Sequence, residues 1–106
     1  MSEANRLTNK ILGYLYSVDV YAFRINITGI PNSGRGMRTA AKKGICDLLA
    51  IDRGRFIGIE IKIGEDRLSQ EQIGFIKNVE HFGGKCFVAK TFNQFLGEWN
   101  GYKAHN

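Results

Sequence analysis

The apolar positions of the chain change their spacing several times, and each spacing predicts a different element. Over residues 2–17 they recur every three or four positions, which is typical of a helix with one buried face, and Ser2 is placed to cap its start. Residues 20–27 are rich in aromatic and β-branched side chains and predict a strand. Residues 28–43 contain three glycines, the only proline and few apolar side chains, which predicts a mobile loop.

Two further strands follow this loop. Residues 44–52 form a nearly continuous apolar run, which predicts a strand that is buried on both faces. A turn over residues 52–55 leads to residues 56–63, where the pattern alternates strictly. Four isoleucines take one face of this strand, and the other face carries Phe56, Gly58, Glu60 and Lys62.

The last third of the chain predicts a helix, a short strand and a final helix. Residues 69–83 have helical periodicity, and Ser69 and Gln72 have the spacing of a capping box at its start. Residues 85–90 predict a strand, and Thr91 is placed to cap the last helix. The order of elements therefore predicts an α/β fold with a central mixed sheet flanked by helices.

Length and composition agree with this architecture. A chain of 106 residues suits one domain that spans residues 1–106. Its hydrophobic share of 43% and charged share of 24% are those of a globular protein, which excludes fibrous and disordered classes. No apolar run approaches the roughly 20 residues of a membrane-spanning helix, and the polar N-terminus lacks a signal-peptide pattern. We therefore expect a cytoplasmic protein without membrane contacts.

The placement of charge says more than the net charge of +5. No acidic residue occurs between Asp19 and Asp47, whereas five basic residues do: Arg24, Arg35, Arg38, Lys42 and Lys43. A basic stretch without acidic neighbours suits a polyanion such as nucleic acid, although a merely soluble basic loop has the same composition. If nucleic acid binds, we expect the last four of these residues to contact its phosphates.

The two cysteines are predicted to be free thiols. Cys46 and Cys86 lie in apolar stretches, and neither has a Cys or His at the spacing of metal ligands. Cys46 precedes Asp47 and is expected to face away from it.

Three charged residues are not explained by the core pattern. Asp47 lies within an apolar run, and Glu60 and Lys62 lie mid-strand among isoleucines. Because a buried charge is costly unless it is paired or binds a metal, these residues are candidates for chemistry. If the hairpin places Asp47 on the same face as Glu60 and Lys62, the three converge.

Such a group suits phosphodiester hydrolysis. Two carboxylates can hold Mg²⁺ or Mn²⁺, and the backbone carbonyl of Ile61 could complete the ligand set. The metal would neutralise phosphate charge and make a bound water more acidic, while Lys62 could orient that water or help to deprotonate it. The alternatives are a solvated polar strand face with a weak Glu60–Lys62 pair, and a turn-capping role for Asp47.

The same residues resemble the signature of PD-(D/E)xK nucleases. Gly44-Ile45-Cys46-Asp47 is followed, after a gap of twelve residues, by Glu60-Ile61-Lys62. More closely, about residues 3–96 are similar to the virus-type replication-repair nuclease (VRR-NUC) domain, in its stand-alone phage or prophage form. The narrower resemblance rests on Glu3, on Asn26 before a Gly-rich loop, and on residues 55–62 and 68–72. One departure is Cys46, where the family usually has proline.

The resemblance implies a restriction-endonuclease-like αβββαβ core and a role for each residue. Asp47 and Glu60 would bind the metal, with Glu3 as an additional ligand, and Lys62 would be the catalytic lysine. Gln72 would lie near Lys62 or the scissile phosphate. Glu3 could instead only favour the helix dipole, and Gln72 could only complete the capping box.

The resemblance also implies an activity on branched DNA, including four-way (Holliday) junctions, by a homodimer. Two other functions stay open on the sequence. One is a non-catalytic module that binds nucleic acid or a partner with a nuclease fold. The other is a nuclease that acts on linear duplex or RNA.

Overall fold

The computed structural model describes residues 1–25 and 43–105. Its elements in chain order are α1 (Glu3–Ser17), β1 (Tyr21–Arg24), β2 (Leu48–Asp52), β3 (Arg55–Ile61), α2 (Gln70–His81), β4 (Lys85–Ala89) and α3 (Phe92–Ala104). The types and order of these elements confirm the prediction from the sequence. The predicted loop over residues 28–43 lies outside the described residues, apart from Lys43.

All three helices begin where the sequence places a cap. The side chains of Ser2, Ser69 and Thr91 each accept a hydrogen bond from the backbone N–H three residues ahead. Ser69 forms a complete capping box, because the side chain of Gln72 also accepts a hydrogen bond from the Ser69 backbone N–H at 2.8 Å. These bonds satisfy N–H groups that have no partner inside a helix.

The strands form one mixed sheet in the order β1-β2-β3-β4. β1 with β2 and β2 with β3 are antiparallel, whereas β3 and β4 are parallel, with α2 as the crossover between them. α1 and α3 cover one face of the sheet, where the main core forms. α2 packs on the other face, where the rings of Phe56 and Phe75 meet edge to face at 6.3 Å.

Several strand boundaries differ from the prediction, and two of them lie beside Asp47 and Lys62. β2 begins at Leu48 rather than at residue 44, and it is not buried on both faces, because Ile51 is 43% exposed. β3 ends at Ile61, so Lys62 and Ile63 follow the strand. The apolar run before Leu48 is buried in part by packing against α2, and local hydrophobicity alone does not distinguish that packing from a strand.

Asp52 has a structural role beyond the predicted turn. It ends β2, is 8% exposed, and its carboxylate accepts hydrogen bonds from Tyr102 Oη at 3.1 Å and from Lys103 Nζ at 2.9 and 3.0 Å. This cluster ties the β2–β3 hairpin to the end of α3.

We expect Asp52→Ala to lower the free energy of unfolding by about 2–3 kcal/mol, because it leaves Lys103 and Tyr102 without their partner. Thermal or urea unfolding measures the change. Asp52→Asn keeps an oxygen that can accept from Tyr102, so it should lower the free energy of unfolding less than Asp52→Ala does. Equal stability of Asp52→Ala and the wild type would contradict a stabilising role.

None of the helices within the described ranges is long and apolar enough to span a membrane.

Candidate active site

The β2–β3 hairpin brings Asp47 and Glu60 together, as the sequence predicts. Leu48 is paired with Ile59, so Asp47 and Glu60 are the next residues outward on the two strands. The Asp47 backbone N–H donates to the Ile59 carbonyl at 3.1 Å. The Ile61 backbone N–H donates to Asp47 Oδ2 at 2.7 Å. The Asp47 side chain is therefore held against the backbone of β3 beside Glu60.

Glu60 is the most unusual charged residue of the site. It is only 1% exposed, and its Oε1 accepts a hydrogen bond from Gln72 Nε2 at 3.3 Å. Among the described residues, no group donates to its buried Oε2. Burial raises the pKa of the Glu60 carboxyl to about 8, and the negative charge of Asp47 adds to that rise.

Lys62 lies close enough to influence the same carboxyl. Its positive charge lowers the pKa of Glu60, against the larger effects of burial and Asp47. Its backbone N–H donates to the Ala89 carbonyl at 3.0 Å, which holds this part of the chain to β4. Asp47, Glu60 and Lys62 thus converge at one end of the sheet.

The geometry suits a hard divalent cation. A buried carboxylate oxygen to which no described residue donates, next to a second carboxylate, is a costly arrangement that a cation would relieve. Within residues 1–25 and 43–105, no three His, Cys, Asp or Glu side chains form a group that could hold a metal. Two carboxylates with water are nevertheless an ordinary set for Mg²⁺, which keeps several waters.

The other predicted site residues fall into two groups. Glu3 is exposed in the first turn of α1, and the structure does not join it with Asp47 and Glu60 in a group of three ligands. The start of α1 is near this end of the sheet, because Arg24 Nη1 donates to Asn5 Oδ1 at 3.4 Å. Asn26, Arg35, Arg38 and Lys42 lie outside the described residues. Lys43 forms an exposed ion pair with Glu71 at 3.7 Å.

Gly44 fixes the approach of the chain to Asp47. Its φ of +80° suits glycine, and a Cβ at this position would lie 2.5 Å from the backbone carbonyl carbon of Glu71. The segment before Asp47 therefore packs directly on the first turn of α2, beside Gln72. Sequence analysis missed this residue, since a lone glycine at the end of a glycine-rich stretch looks like a turn residue.

The cysteines are buried free thiols, as predicted. The expected orientation of Cys46 was wrong. A Cβ on Gly58 would lie 3.1 Å from Cys46 Sγ and 3.1 Å from Cys86 Sγ, so both thiols lie over Gly58, on the Glu60 face of the sheet. The alternation fails because the chain bends at Asp47 before β2 begins. Burial raises the pKa of Cys46 to about 12 and that of Cys86 to about 11, which keeps both thiols protonated.

Comparison with solved structures finds a similar fold in Archaeoglobus fulgidus Hjc, a Holliday junction resolvase from an archaeal hyperthermophile. The match covers 82% of this chain and 67% of that chain, with a TM-score of 0.54 and 19% sequence identity. The chain shares with that protein a mixed α/β fold, in which helices flank a four-stranded sheet. The predicted fold class is thereby confirmed. No protein-family model and no curated protein matches the sequence, so the narrower resemblance to VRR-NUC domains stays a prediction.

Gln72 has two contacts that can be separated by mutation. Gln72→Glu keeps an oxygen for the Ser69 N–H but removes the N–H donor to Glu60, whereas Ser69→Ala removes half of the cap and leaves Glu60 untouched. We expect Gln72→Glu to lower DNA cleavage by about 10–100-fold. Ser69→Ala should instead lower stability by about 1 kcal/mol and keep cleavage.

Cleavage rates and melting temperatures of the two variants check this prediction. Equal losses of cleavage in both variants would mean that Gln72 acts only through the cap.

Proposed function

We propose that this protein is a metal-dependent DNA endonuclease that hydrolyses phosphodiester bonds, with branched DNA such as four-way junctions as its substrate. The observation that carries the proposal is the buried Oε2 of Glu60, which has no hydrogen-bond partner among residues 1–25 and 43–105 and lies beside Asp47, with Lys62 close by. The fold supports it, since a solved structure with a similar fold is a Holliday junction resolvase. The resemblance to VRR-NUC domains of phage or prophage type also supports this substrate.

Asp47 and Glu60 would hold Mg²⁺ or Mn²⁺, with the Ile61 carbonyl and Glu3 as further oxygen donors. When bound, the metal would neutralise negative charge on the phosphate and lower the pKa of a water molecule that it binds. Lys62 orients the attacking water, assists its deprotonation or stabilises the charge that develops on the phosphate. Gln72 positions Glu60 through its hydrogen bond to Oε1.

A cleavage assay with Mg²⁺ and with Mn²⁺ tests the proposal. Its substrates are a labelled four-way junction, a flap, a linear duplex and a single strand, and Lys62→Ala is run beside the wild type. Cleavage of the junction by the wild type alone supports the whole proposal. Cleavage of every substrate alike, still lost in Lys62→Ala, keeps the nuclease and removes the selectivity. Absence of cleavage with both metals would contradict it.

Phosphate contacts by the basic stretch remain part of the proposal. Neutralising Lys42 and Lys43 together should weaken DNA binding and lower its dependence on salt, because each phosphate contact releases counterions. The slope of log K against log salt measures this effect and should fall by about 2. An unchanged slope would remove these lysines from the DNA interface.

A homodimer is part of the proposal because a four-way junction needs two cuts related by symmetry. Sedimentation at micromolar concentration without DNA tests this point, and a monomer would count against it.

A non-catalytic binding module is the second candidate function. The cost of the buried Glu60 carboxyl disfavours it, because an idle site gains nothing from keeping that group. Calorimetry with Mn²⁺ separates the two candidates, since metal binding that is lost in Glu60→Gln supports the nuclease.

A further inference from the structure

A groove lies beside Lys62, near the ends of β3 and β4. It has a volume of about 880 Å³, and Lys62 forms part of its lining. Its other walls are the turn over residues 64–68, Ile73 of α2, and Val88 and Lys90 at the end of β4.

Three of the lining side chains are cations, those of Lys62, Arg67 and Lys90. Lys62, Arg67 and Lys90 make no ion pair with any residue of the described ranges, whereas Lys43, Lys85 and Lys103 do. The first turn of α2 borders the groove, and the positive end of a helix dipole adds to the attraction for anions. Leu68, Ile73 and Val88 supply apolar surface between the cations.

We propose that this groove holds the DNA strand on one side of the scissile phosphate, with Arg67 and Lys90 each contacting a backbone phosphate. The inference rests on the proposed function, because it places the scissile phosphate at Lys62. In a DNA strand, a phosphate at Lys62 is followed by further phosphates, and Arg67 and Lys90 could pair with them. The volume of the groove is far larger than that of one phosphate group, so a stretch of the strand can fit. Apolar side chains then lie against sugars rather than against water.

Two carboxylates line the same groove, and their removal should change DNA affinity in the direction opposite to removal of the cations. Glu65 and Asp66 are exposed residues of the turn. If a phosphate backbone occupies the groove, these carboxylates repel it. Removing their charge should therefore tighten DNA binding, whereas removing the charge of Arg67 and Lys90 should weaken it.

The experiment measures DNA affinity with Ca²⁺ in place of Mg²⁺, so that binding is observed with cleavage suppressed. The double variant Arg67→Ala/Lys90→Ala is compared with Arg53→Ala/Lys77→Ala, which removes the same two residue types elsewhere on the surface. We expect the Kd to rise about 10–100-fold for the first double variant and less than about threefold for the second. Glu65→Gln should lower the Kd severalfold.

A series of DNA substrates, shortened from either end towards the cleavage position, shows which side of the scissile phosphate contacts Arg67 and Lys90. Removing nucleotides from one side of the substrate should raise the Kd of the wild type as much as the Arg67/Lys90 substitutions do. The same shortening should leave the Kd of that double variant unchanged. Equal Kd values for the two double variants would overturn the inference, and so would truncation losses that are the same in wild type and variant. Wild-type protein that cleaves no DNA would instead contradict the proposed function itself. Thermal melts confirm that every variant is folded.

Discussion

Glu60→Gln is expected to abolish DNA cleavage and, at the same time, to make the metal-free protein more stable. Under the proposed function the substitution removes a metal-binding oxygen, which should lower the cleavage rate by about a thousandfold. It also removes a buried carboxyl, costly to ionise, that lies beside Asp47 and has an oxygen without a donor among the described residues. A residue that costs stability in the absence of its ligand is a mark of a functional site.

The gain in stability should depend on pH in a defined way. The pKa of Glu60 is about 8 in the folded protein and 4.5 as the ordinary value. Between these values the folded state keeps a proton that the unfolded state loses, so the free energy of unfolding due to this group falls as pH rises from about 4.5 to about 8. It is flat above and below this window. Glu60→Gln lacks the effect, so its advantage should be absent near pH 4 and largest near pH 8.

Thermal unfolding in EDTA across this pH range measures the effect, and Glu98→Gln, an exposed glutamate on α3, is the matched control. Addition of Mn²⁺ should raise the melting temperature of the wild type but not of Glu60→Gln. A Glu60→Gln protein that is less stable than the wild type at pH 8 would contradict the predicted cost of the buried carboxyl.

Gly44→Ala is expected to damage both stability and cleavage. The new methyl group would lie 2.5 Å from the carbonyl carbon of Glu71, which is backbone of a helix and cannot rotate away, and φ is +80°. Together these effects should cost about 2–4 kcal/mol. Because the chain between Gly44 and Asp47 would have to move off α2, cleavage should fall by about 100-fold even where the protein remains folded.

Gly54→Ala is the control for this prediction. Gly54 has a φ of +83°, but a Cβ there has open space around it. Gly54→Ala should therefore lower the free energy of unfolding only by the backbone cost of about 1 kcal/mol, and it should keep its cleavage activity. Equal melting temperatures and rates for the two variants would show that the contact with Glu71 has no influence on the site.

Local patterns predicted the elements and the centre of the site. Helical and strand periodicities give α1, β3 and α2 within a few residues, and the caps at Ser2, Ser69 and Thr91 all form. Asp47 and Glu60 could be identified because charge within an apolar strand has few explanations, and a tight turn makes neighbours of the two strands that carry them.

Features that depend on packing between distant segments could not be predicted in this way. The contact of Gly44 with Glu71, and the two thiols over Gly58, depend on where α2 and β4 pack against β3. The groove at Lys62 likewise joins the turn after β3 to Lys90 at the end of β4. No short stretch of sequence contains these relations, because each joins segments that are separate in the sequence.

The parallel pairing of β3 with β4 also has a consequence for the order in which the site assembles. Asp47 and Glu60 meet in a hairpin, which closes a short loop at low entropic cost. The hydrogen bond from the Lys62 N–H to the Ala89 carbonyl can form only after α2 has folded and β4 has paired with β3. Such non-local pairing forms slowly. We expect a chain still emerging from the ribosome to hold its acidic pair before it has a groove for a DNA strand.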